Sequence, residues 1–227
     1  MSVSEEIKTD DLSSVSRLKI TEIFHSLQGE SRSSGYTTTF IRLTGCPLRC
    51  GYCDTEYAFS GGEWYSFDEI LAEVKKYKTK IITVTGGEPL AQKRCIDLLK
   101  LLCDEGFDVS LETSGALDIS LVDPRVSRVM DLKTPASNEE SKNLYENIAL
   151  LTAHDQLKFV LCDRNDYDWA VAKVKEYDLL SKCEVLFSSA FQDLSPQQLA
   201  DWIVEDELGV RFQMQLHKVL WNDEPGR

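Results

Sequence analysis

Short β-branched or apolar segments alternate with amphipathic segments along the sequence, and this rhythm constrains the fold more than any other feature. KIITVT at 80–85 is typical of a buried strand, and the pattern over 67–77 is typical of a helix with Ser66 as its N-cap. Alternating strands and helices produce a parallel sheet covered by helices. The sequence therefore predicts an α/β protein, a partial (β/α) barrel of about six parallel strands.

The predicted elements follow one another along nearly the whole chain. Strands are predicted at 17–24, 37–45, 80–85, 108–113, 126–132, 156–162, 184–188 and 212–216. Helices are predicted at 67–77, 91–104, 137–151, 167–177 and 195–207. Residues 1–16 are polar and acidic, so we expect a disordered or irregular lead-in before a single domain at 17–227.

Composition argues against several classes of protein. A net charge of −13 disfavours broad binding to nucleic acids or acidic membranes. The apolar runs are too short to span a bilayer, and the N-terminal residues lack the features of a signal peptide. Seven cysteines, an odd number, without an export signal predict a reducing, cytoplasmic location.

Three cysteines, Cys46, Cys50 and Cys53, form a CxxxCxxC pattern directly after the second predicted strand. A structural zinc site uses four protein ligands, and so does an ordinary four-iron cluster. The next cysteine, Cys95, falls in a predicted helix, so three thiolates would leave one metal position open. An open position on an iron–sulfur cluster can bind a small molecule. Three unrelated core cysteines are the alternative interpretation.

Other unusual residues follow the ends of other predicted strands. The segment GGEP occupies 86–89, ETSG occupies 112–115, and Lys133 follows the strand at 126–132. In (β/α) barrels the carboxyl ends of the strands meet at one rim, which carries the chemistry. The sequence therefore predicts one functional site at this rim, shared by these segments and the cysteine loop.

The cysteine motif and the GGEP segment together resemble those of the radical S-adenosylmethionine (SAM) enzymes. Within that superfamily the chain resembles the 7-carboxy-7-deazaguanine synthases through segments in the same order along nearly the whole chain. They are FHSLQGE at 24–30, FIRL at 40–43, CDT at 53–55, TGGEP at 85–89, ETSG at 112–115 and QLHK at 215–218. LQGE and CDT indicate the synthases, whereas CxxxCxxC indicates only the superfamily.

The resemblance implies a lyase that converts 6-carboxy-5,6,7,8-tetrahydropterin to 7-carboxy-7-deazaguanine with loss of ammonia, in the tRNA-modification pathway to queuosine. One electron from a [4Fe–4S] cluster cleaves SAM, and the adenosyl radical abstracts hydrogen and starts a ring contraction. SAM is re-formed after turnover. The resemblance also implies Mg²⁺, a homodimer and an electron donor such as flavodoxin.

The resemblance further assigns a role to individual residues. The cluster is expected on Cys46, Cys50 and Cys53, and Mg²⁺ on Thr55. Substrate contacts are expected from Leu27, Gln28, Gly29, Arg42, Thr85 and His217. SAM contacts are expected from Tyr52, Cys53, Asp54, Gly87, Glu88, Ser114, Asp131, Leu132, Lys133, Ser188, Ser189, Ala190 and Phe191. No side chain is assigned as catalytic, because the cluster and SAM carry the chemistry.

Two alternatives remain open at this stage. A glycyl-radical-enzyme activase shares the cysteine spacing and the partial barrel but has no use for LQGE or CDT. A non-catalytic iron–sulfur or metal module predicts zinc or a fully ligated cluster, without SAM cleavage. The chain also continues past QLHK as VLWNDEPGR, unlike family members that stop sooner. This extension leaves open whether the terminal residue contacts the substrate.

Overall fold

A computed structural model describes residues 16–191, 193–222, 224 and 226, so almost all of the predicted lead-in at 1–16 lies outside the described residues. The described strands form one sheet in the order β3-β1-β2-β4-β5-β6-β7-β8-β9. They are β1 (Arg17–Leu27), β2 (Thr37–Leu43), β3 (Glu63–Ser66), β4 (Ile81–Gly86), β5 (Asp108–Thr113), β6 (Ser127–Asp131), β7 (Gln156–Leu161), β8 (Glu184–Ser189) and β9 (Arg211–Gln213).

The sheet is mostly parallel and does not close into a full barrel, which confirms the predicted fold class. Strand β2 and strands β4 to β9 run parallel to their neighbours, which makes seven parallel strands rather than six. Strand β1 lies antiparallel between β2 and β3. Strand β3 was not predicted, because its four largely exposed residues are too few to show an alternating pattern.

The helices pack beside the sheet as α1 (Phe67–Val74), α2 (Cys95–Asp104), α3 (Arg164–Glu176), α4 (Pro196–Glu205) and α5 (Leu216–Trp221). Ser66 caps α1 as predicted: its Oγ accepts from Glu69 N at 3.2 Å, and Glu69 Oε2 accepts from Ser66 N at 2.7 Å. No helix over the described residues is long and apolar enough to cross a membrane.

Two predicted elements are wrong. The predicted helix at 137–151 is replaced by 3-10 turns at Pro135–Ser137, Glu140–Lys142 and Tyr145–Leu150. Asn143 bonds both backbone groups of Lys133, at 2.9 and 2.8 Å, and this competes with a continuous helix. The predicted strand at 212–216 ends at Gln213, and α5 begins at Leu216.

The two faces of the parallel strands differ in chemistry. On β4, Ile82 and Val84 are fully buried in the hydrophobic core with helix α2. Thr83 and Thr85 alternate with them and point to the opposite face, where Thr85 bonds Glu112 of β5 at 3.0 Å. Alternation in the strands therefore gives the partial barrel an apolar outer face and a polar inner face.

Candidate active site

A cavity of about 400 Å³ opens at the carboxyl ends of the parallel strands, on the polar inner face. Most of the expected site residues line it together, although they come from distant parts of the sequence. They are Leu27, Gln28, Gly29, Arg42, Cys46, Cys50, Tyr52, Cys53, Asp54, Thr55, Thr85, Gly87, Ser114, Asp131, Lys133, Ala190, Phe191 and His217. The fold thus places the separate sequence segments around one cavity.

Four of the expected SAM contacts, Glu88, Leu132, Ser188 and Ser189, do not line this cavity. Leu132 is fully buried in the hydrophobic core, because strand alternation turns it away from its neighbours Asp131 and Lys133. Ser188 and Ser189 are buried within β8. Contact between SAM and these four residues stays a prediction, although they do not line the cavity.

Glu88 instead supports the cavity wall from behind. Its carboxylate is fully buried and accepts from the Ser114 hydroxyl at 2.5 Å, from Ser114 N at 2.7 Å and from the Thr113 hydroxyl at 3.0 Å. It also accepts from Leu90 N at 3.0 Å. The side chain holds the end of β5 against the end of β4 and so orients Ser114, which does face the cavity.

The cysteine loop that follows β2 presents three half-buried thiols to the cavity. Gly51 N donates to Ser137 O at 3.0 Å, and Arg49 Nη1 donates to Cys46 O at 2.9 Å, so the loop backbone is tied in place. Burial raises the pKa of the Cys50 thiol to about 11. A bound metal would displace the thiol proton, since thiolates are the ligating form.

The loop fits a cluster better than a single ion. Among the described residues, no three Cys, His, Asp or Glu side chains converge on one metal position. In a four-iron cluster each thiolate binds a different iron, so three spaced soft donors on one loop suit that group. A Cβ on Gly87 would lie 2.5 Å from Gly45 O and 2.6 Å from Cys46 Cβ, which explains why glycine brings β4 against this loop.

Two buried polar atoms beside the cysteines lack partners within the described part of the chain: Tyr52 Oη and Asp131 Oδ1. Lys133 Nζ donates to Asp131 Oδ2 at 2.9 Å and lies 5.6 Å from the centre of the Tyr52 ring. Burial raises the pKa of Tyr52, so its phenol stays protonated. Because unpartnered buried polar groups are costly, this wall suits a polar ligand such as SAM.

The opposite wall carries amide, hydroxyl and carboxylate groups. Gln28 Nε2 donates to Thr83 Oγ1 at 3.0 Å and to Glu112 Oε1 at 3.3 Å. Burial, reinforced by the charge of Glu30, raises the pKa of Glu112 although Lys158 opposes the shift. These groups can pair with the donors and acceptors of a flat heterocycle.

Arg42 reaches the same wall, and only one of its guanidinium nitrogens is hydrogen-bonded to a described residue. Its Nε donates to Glu22 Oε1 at 2.7 Å, and its guanidinium lies 5.7 Å from the ring centres of Phe24 and Tyr57. Neither terminal nitrogen donates a hydrogen bond to the described residues. Arg42 is therefore held on one side and can bind a carboxylate on the other.

Sequence reasoning missed several cavity residues: Glu30, Glu112, Lys158, Gln215 and Lys218. Glu30, Glu112, Gln215 and Lys218 lie inside segments that resemble the family, and that membership was a usable signal. The signal for Lys158 was a single cation within the apolar strand QLKFVL. Its Nζ donates to Glu30 Oε2 at 2.6 Å.

Known proteins with similar sequences belong to the family that the motifs resemble. Residues 40–134 match the Radical SAM superfamily. The 7-carboxy-7-deazaguanine synthase of Koribacter versatilis is 42% identical over 222 residues, covering 91% of this chain and 98% of that protein. The synthase of Chlorobaculum tepidum is 40% identical over 216 residues, covering 94% of this chain and 98% of that protein.

Solved structures share the fold. The crystal structure of QueE from Escherichia coli superimposes with a TM-score of 0.74 at 21% identity, covering 92% of this chain and all of that one. The structure of SuiB from Streptococcus suis, bound to S-adenosylmethionine, has a TM-score of 0.51 at 15% identity and covers 75% of this chain and 45% of that one.

Proposed function

The chain belongs to the 7-carboxy-7-deazaguanine synthase family of radical SAM enzymes, and we propose that it converts 6-carboxy-5,6,7,8-tetrahydropterin to 7-carboxy-7-deazaguanine with loss of ammonia. The observation that supports this proposal most strongly is that the LQGE, CDT, GGEP, ETSG and QLHK segments all contribute residues to the lining of one cavity. An activase or a non-catalytic metal module gives most of these segments no role.

The cluster and SAM belong on the wall that carries the three cysteines. Cys46, Cys50 and Cys53 would hold a [4Fe–4S] cluster, which with SAM supplies the one-electron chemistry that generates a hydrogen-abstracting radical. Tyr52 and Asp131 offer unpartnered polar atoms to SAM, and Ser114 faces the same space. Asp54, Gly87, Lys133, Ala190 and Phe191 complete this set.

The substrate belongs on the opposite wall. Arg42 would bind the substrate carboxylate through its terminal nitrogens, because a guanidinium matches a carboxylate in a bidentate pair. Leu27, Gln28, Gly29, Thr85 and His217 would surround the pterin. Glu112 adds a carboxylate with a raised pKa, which can accept from ring nitrogens or, when protonated, donate to them.

Thr55 is the proposed Mg²⁺ ligand. Its hydroxyl donates its proton to Asp54 Oδ1 at 2.8 Å, which leaves the oxygen lone pairs available toward the cavity. Mg²⁺ prefers oxygen ligands and keeps several waters, so one protein oxygen suffices where the substrate carboxylate supplies another.

The proposed assembly rests on the family resemblance, and the proposed location rests on the odd number of cysteines. We propose a homodimer in the cytoplasm that receives electrons from a donor such as flavodoxin. The single sheet and its continuous core support one domain over 17–227. Light scattering tests the dimer, and assays with reduced flavodoxin against dithionite test the donor.

The deciding experiment is anaerobic reconstitution with iron and sulfide, followed by turnover with SAM, Mg²⁺, a reductant and carboxytetrahydropterin. Mass spectrometry should show 7-carboxy-7-deazaguanine, and the Cys50→Ala variant should form none. Reductive SAM cleavage that never yields this product would favour the activase. Zinc incorporation without SAM cleavage would favour the metal module.

A further inference from the structure

The chain returns to the cavity between β9 and α5. We call residues 213–218 the C-terminal clasp. Ser31 N donates to Gln213 Oε1 at 3.0 Å, and Leu216 N donates to Gly29 O at 3.0 Å. A Cβ on Gly29 would lie 2.1 Å from His217 Nδ1, so the clasp rests directly on the loop that carries LQGE.

Gln215 connects this loop to the cysteine loop. Its Nε2 donates to Glu30 Oε1 at 2.8 Å and to Asp54 Oδ2 at 3.4 Å. Glu30 is itself fixed from the other side by Lys158 at 2.6 Å. One amide group therefore bridges two carboxylates on opposite walls of the cavity, and hydrogen bonds to charged acceptors are stronger than neutral ones.

Lys218 makes the second connection to the cysteine loop. Its Nζ lies 2.9 Å from Asp54 Oδ2, its side chain is only 6% exposed, and it lies 4.9 Å from the centre of the Phe191 ring. The other carboxylate oxygen of Asp54 accepts from the Thr55 hydroxyl at 2.8 Å. The clasp thus holds Asp54, and Asp54 orients Thr55.

We propose that Gln215 and Lys218 are positioning residues that hold the cysteine loop and the substrate loop in register through Asp54. This inference rests on the proposed function, because the register matters only if both loops serve one reaction. Hydrogen abstraction requires the reacting atoms to be held close and aligned, and a shift of about 1 Å can cost a large factor in rate. Loss of the clasp should therefore uncouple SAM cleavage from substrate turnover.

The test compares Gln215→Glu and Lys218→Met with the wild-type holoenzyme. The first change places a third carboxylate between Glu30 and Asp54, and the second removes the cation that Asp54 requires. Because SAM is expected to be re-formed after turnover, free 5′-deoxyadenosine reports cleavage that was not used. Its ratio to deazaguanine product should rise roughly tenfold, the factor that one hydrogen bond to a charged group commonly supplies.

The controls use the same exchanges on the exposed surface outside the cavity. Gln197→Glu in α4 and Lys100→Met in α2 should leave the ratio unchanged. Lys218→Arg keeps a cation and should recover part of the coupling. The cluster absorption spectrum should be the same in all of these proteins, because the three thiols remain.

A second readout does not depend on turnover. Amide hydrogen exchange of the full chain should become faster at Leu216 and over 53–55 in both clasp variants, but not in the controls. An active wild type whose clasp variants keep the wild-type ratio and exchange rates overturns the clasp and leaves the proposed function intact. A wild type that forms no deazaguanine overturns the function, and the exchange data then decide the clasp separately.

Discussion

At the scale of single residues, environment decides what each cysteine does. Cys46, Cys50 and Cys53 face the cavity, whereas Cys95 at the start of α2 is fully buried in the core and Cys183 is 7% exposed. Burial is the main cause that raises the pKa of all five thiols, so thiol acidity does not distinguish ligand from core residue. What distinguishes the three expected ligands is their position on the polar rim of the cavity.

We therefore expect Cys50→Ala to abolish cluster assembly and SAM cleavage, because a thiolate ligand is lost. Cys95→Ala should retain both and lower the free energy of unfolding by only about 1 kcal/mol, as for a small buried deletion. Iron content, visible absorption and 5′-deoxyadenosine yield measure the difference. Full activity in Cys50→Ala would remove the cluster assignment.

Arg42→Lys keeps the charge but loses the planar fork. We expect kcat/KM for the pterin to fall roughly ten- to a hundredfold, the usual range for a charge-assisted pair, while SAM affinity is retained. Glu22→Gln keeps the Arg42 fork and should have a smaller effect, since it only loosens the Nε contact. An unchanged substrate KM in Arg42→Lys would contradict the carboxylate assignment.

Thr55→Ala tests the Mg²⁺ ligand. Activity should lose most of its dependence on Mg²⁺ concentration, because the one protein oxygen is gone, while the cluster spectrum stays the same. Titrations of both proteins with Mg²⁺ give the answer. Superimposable curves, after correction for the folded fraction, would show that Thr55 only orders its loop.

At the scale of elements, the ends of β4 and β5 depend on one buried carboxylate. Glu88 accepts hydrogen bonds from Leu90, Thr113 and Ser114, and none of these partners is visible in the GGEP motif itself. The predicted helix at 137–151 fails for a related reason. The side chain of Asn143 bonds the backbone of Lys133, and such local competition cannot be recognised from hydrophobic periodicity.

Glu88→Gln should therefore destabilise the fold by about 3 kcal/mol, because the amide nitrogen would face donors that need an acceptor. Urea unfolding measures this change. The same substitution at partly exposed Glu73 should stay within about 0.5 kcal/mol of wild type. Equal stability of the two variants would show that Glu88 does not hold the strand ends together.

At the scale of the whole molecule, an acidic chain encloses a cavity of paired charges. The net charge is −13, yet four cations of the described part of the chain line the cavity, each beside a carboxylate. The pairs are Arg42 with Glu22, Lys133 with Asp131, Lys158 with Glu30, and Lys218 with Asp54. Among the residues that the structure describes, Glu112 has no cation of its own at bonding distance, which is consistent with its raised pKa.

Stability should therefore respond to pH in opposite ways at two glutamates. Burial raises the pKa of Glu112 above its ordinary 4.5, so its charge destabilises the fold at neutral pH. This cost shrinks once the pH falls below the raised value and is gone below 4.5. At Glu30, burial acts to raise the pKa of the carboxyl, but the charge and hydrogen bond of Lys158 outweigh burial and lower that pKa. The stability from Glu30 is thus present above 4.5 and lost as pH falls through the lowered value.

We expect Glu112→Gln to be more stable than wild type at pH 7, with a gain that shrinks toward pH 4. Glu30→Gln should be less stable than wild type at pH 7, and this deficit should shrink only in stronger acid. Urea unfolding across this pH range separates the two. If the stability of both variants followed the same pH dependence as that of the wild type, the cavity would shift the pKa of neither carboxylate.

Local pattern predicted the fold class and the cysteine motif, because strand alternation and motif spacing act over a few residues. The resemblance of short segments to the synthases assigned many of the residues that line the cavity. The tertiary structure decided which side chains meet. Glu30 pairs with Lys158 across 128 residues of sequence and with Gln215 across 185, and no local pattern encodes those contacts. It also decided that Leu132 and Glu88 are buried away from the cavity while Asp131 and Lys133 line it. The direction of each side chain depends on how its strand end packs against its neighbours.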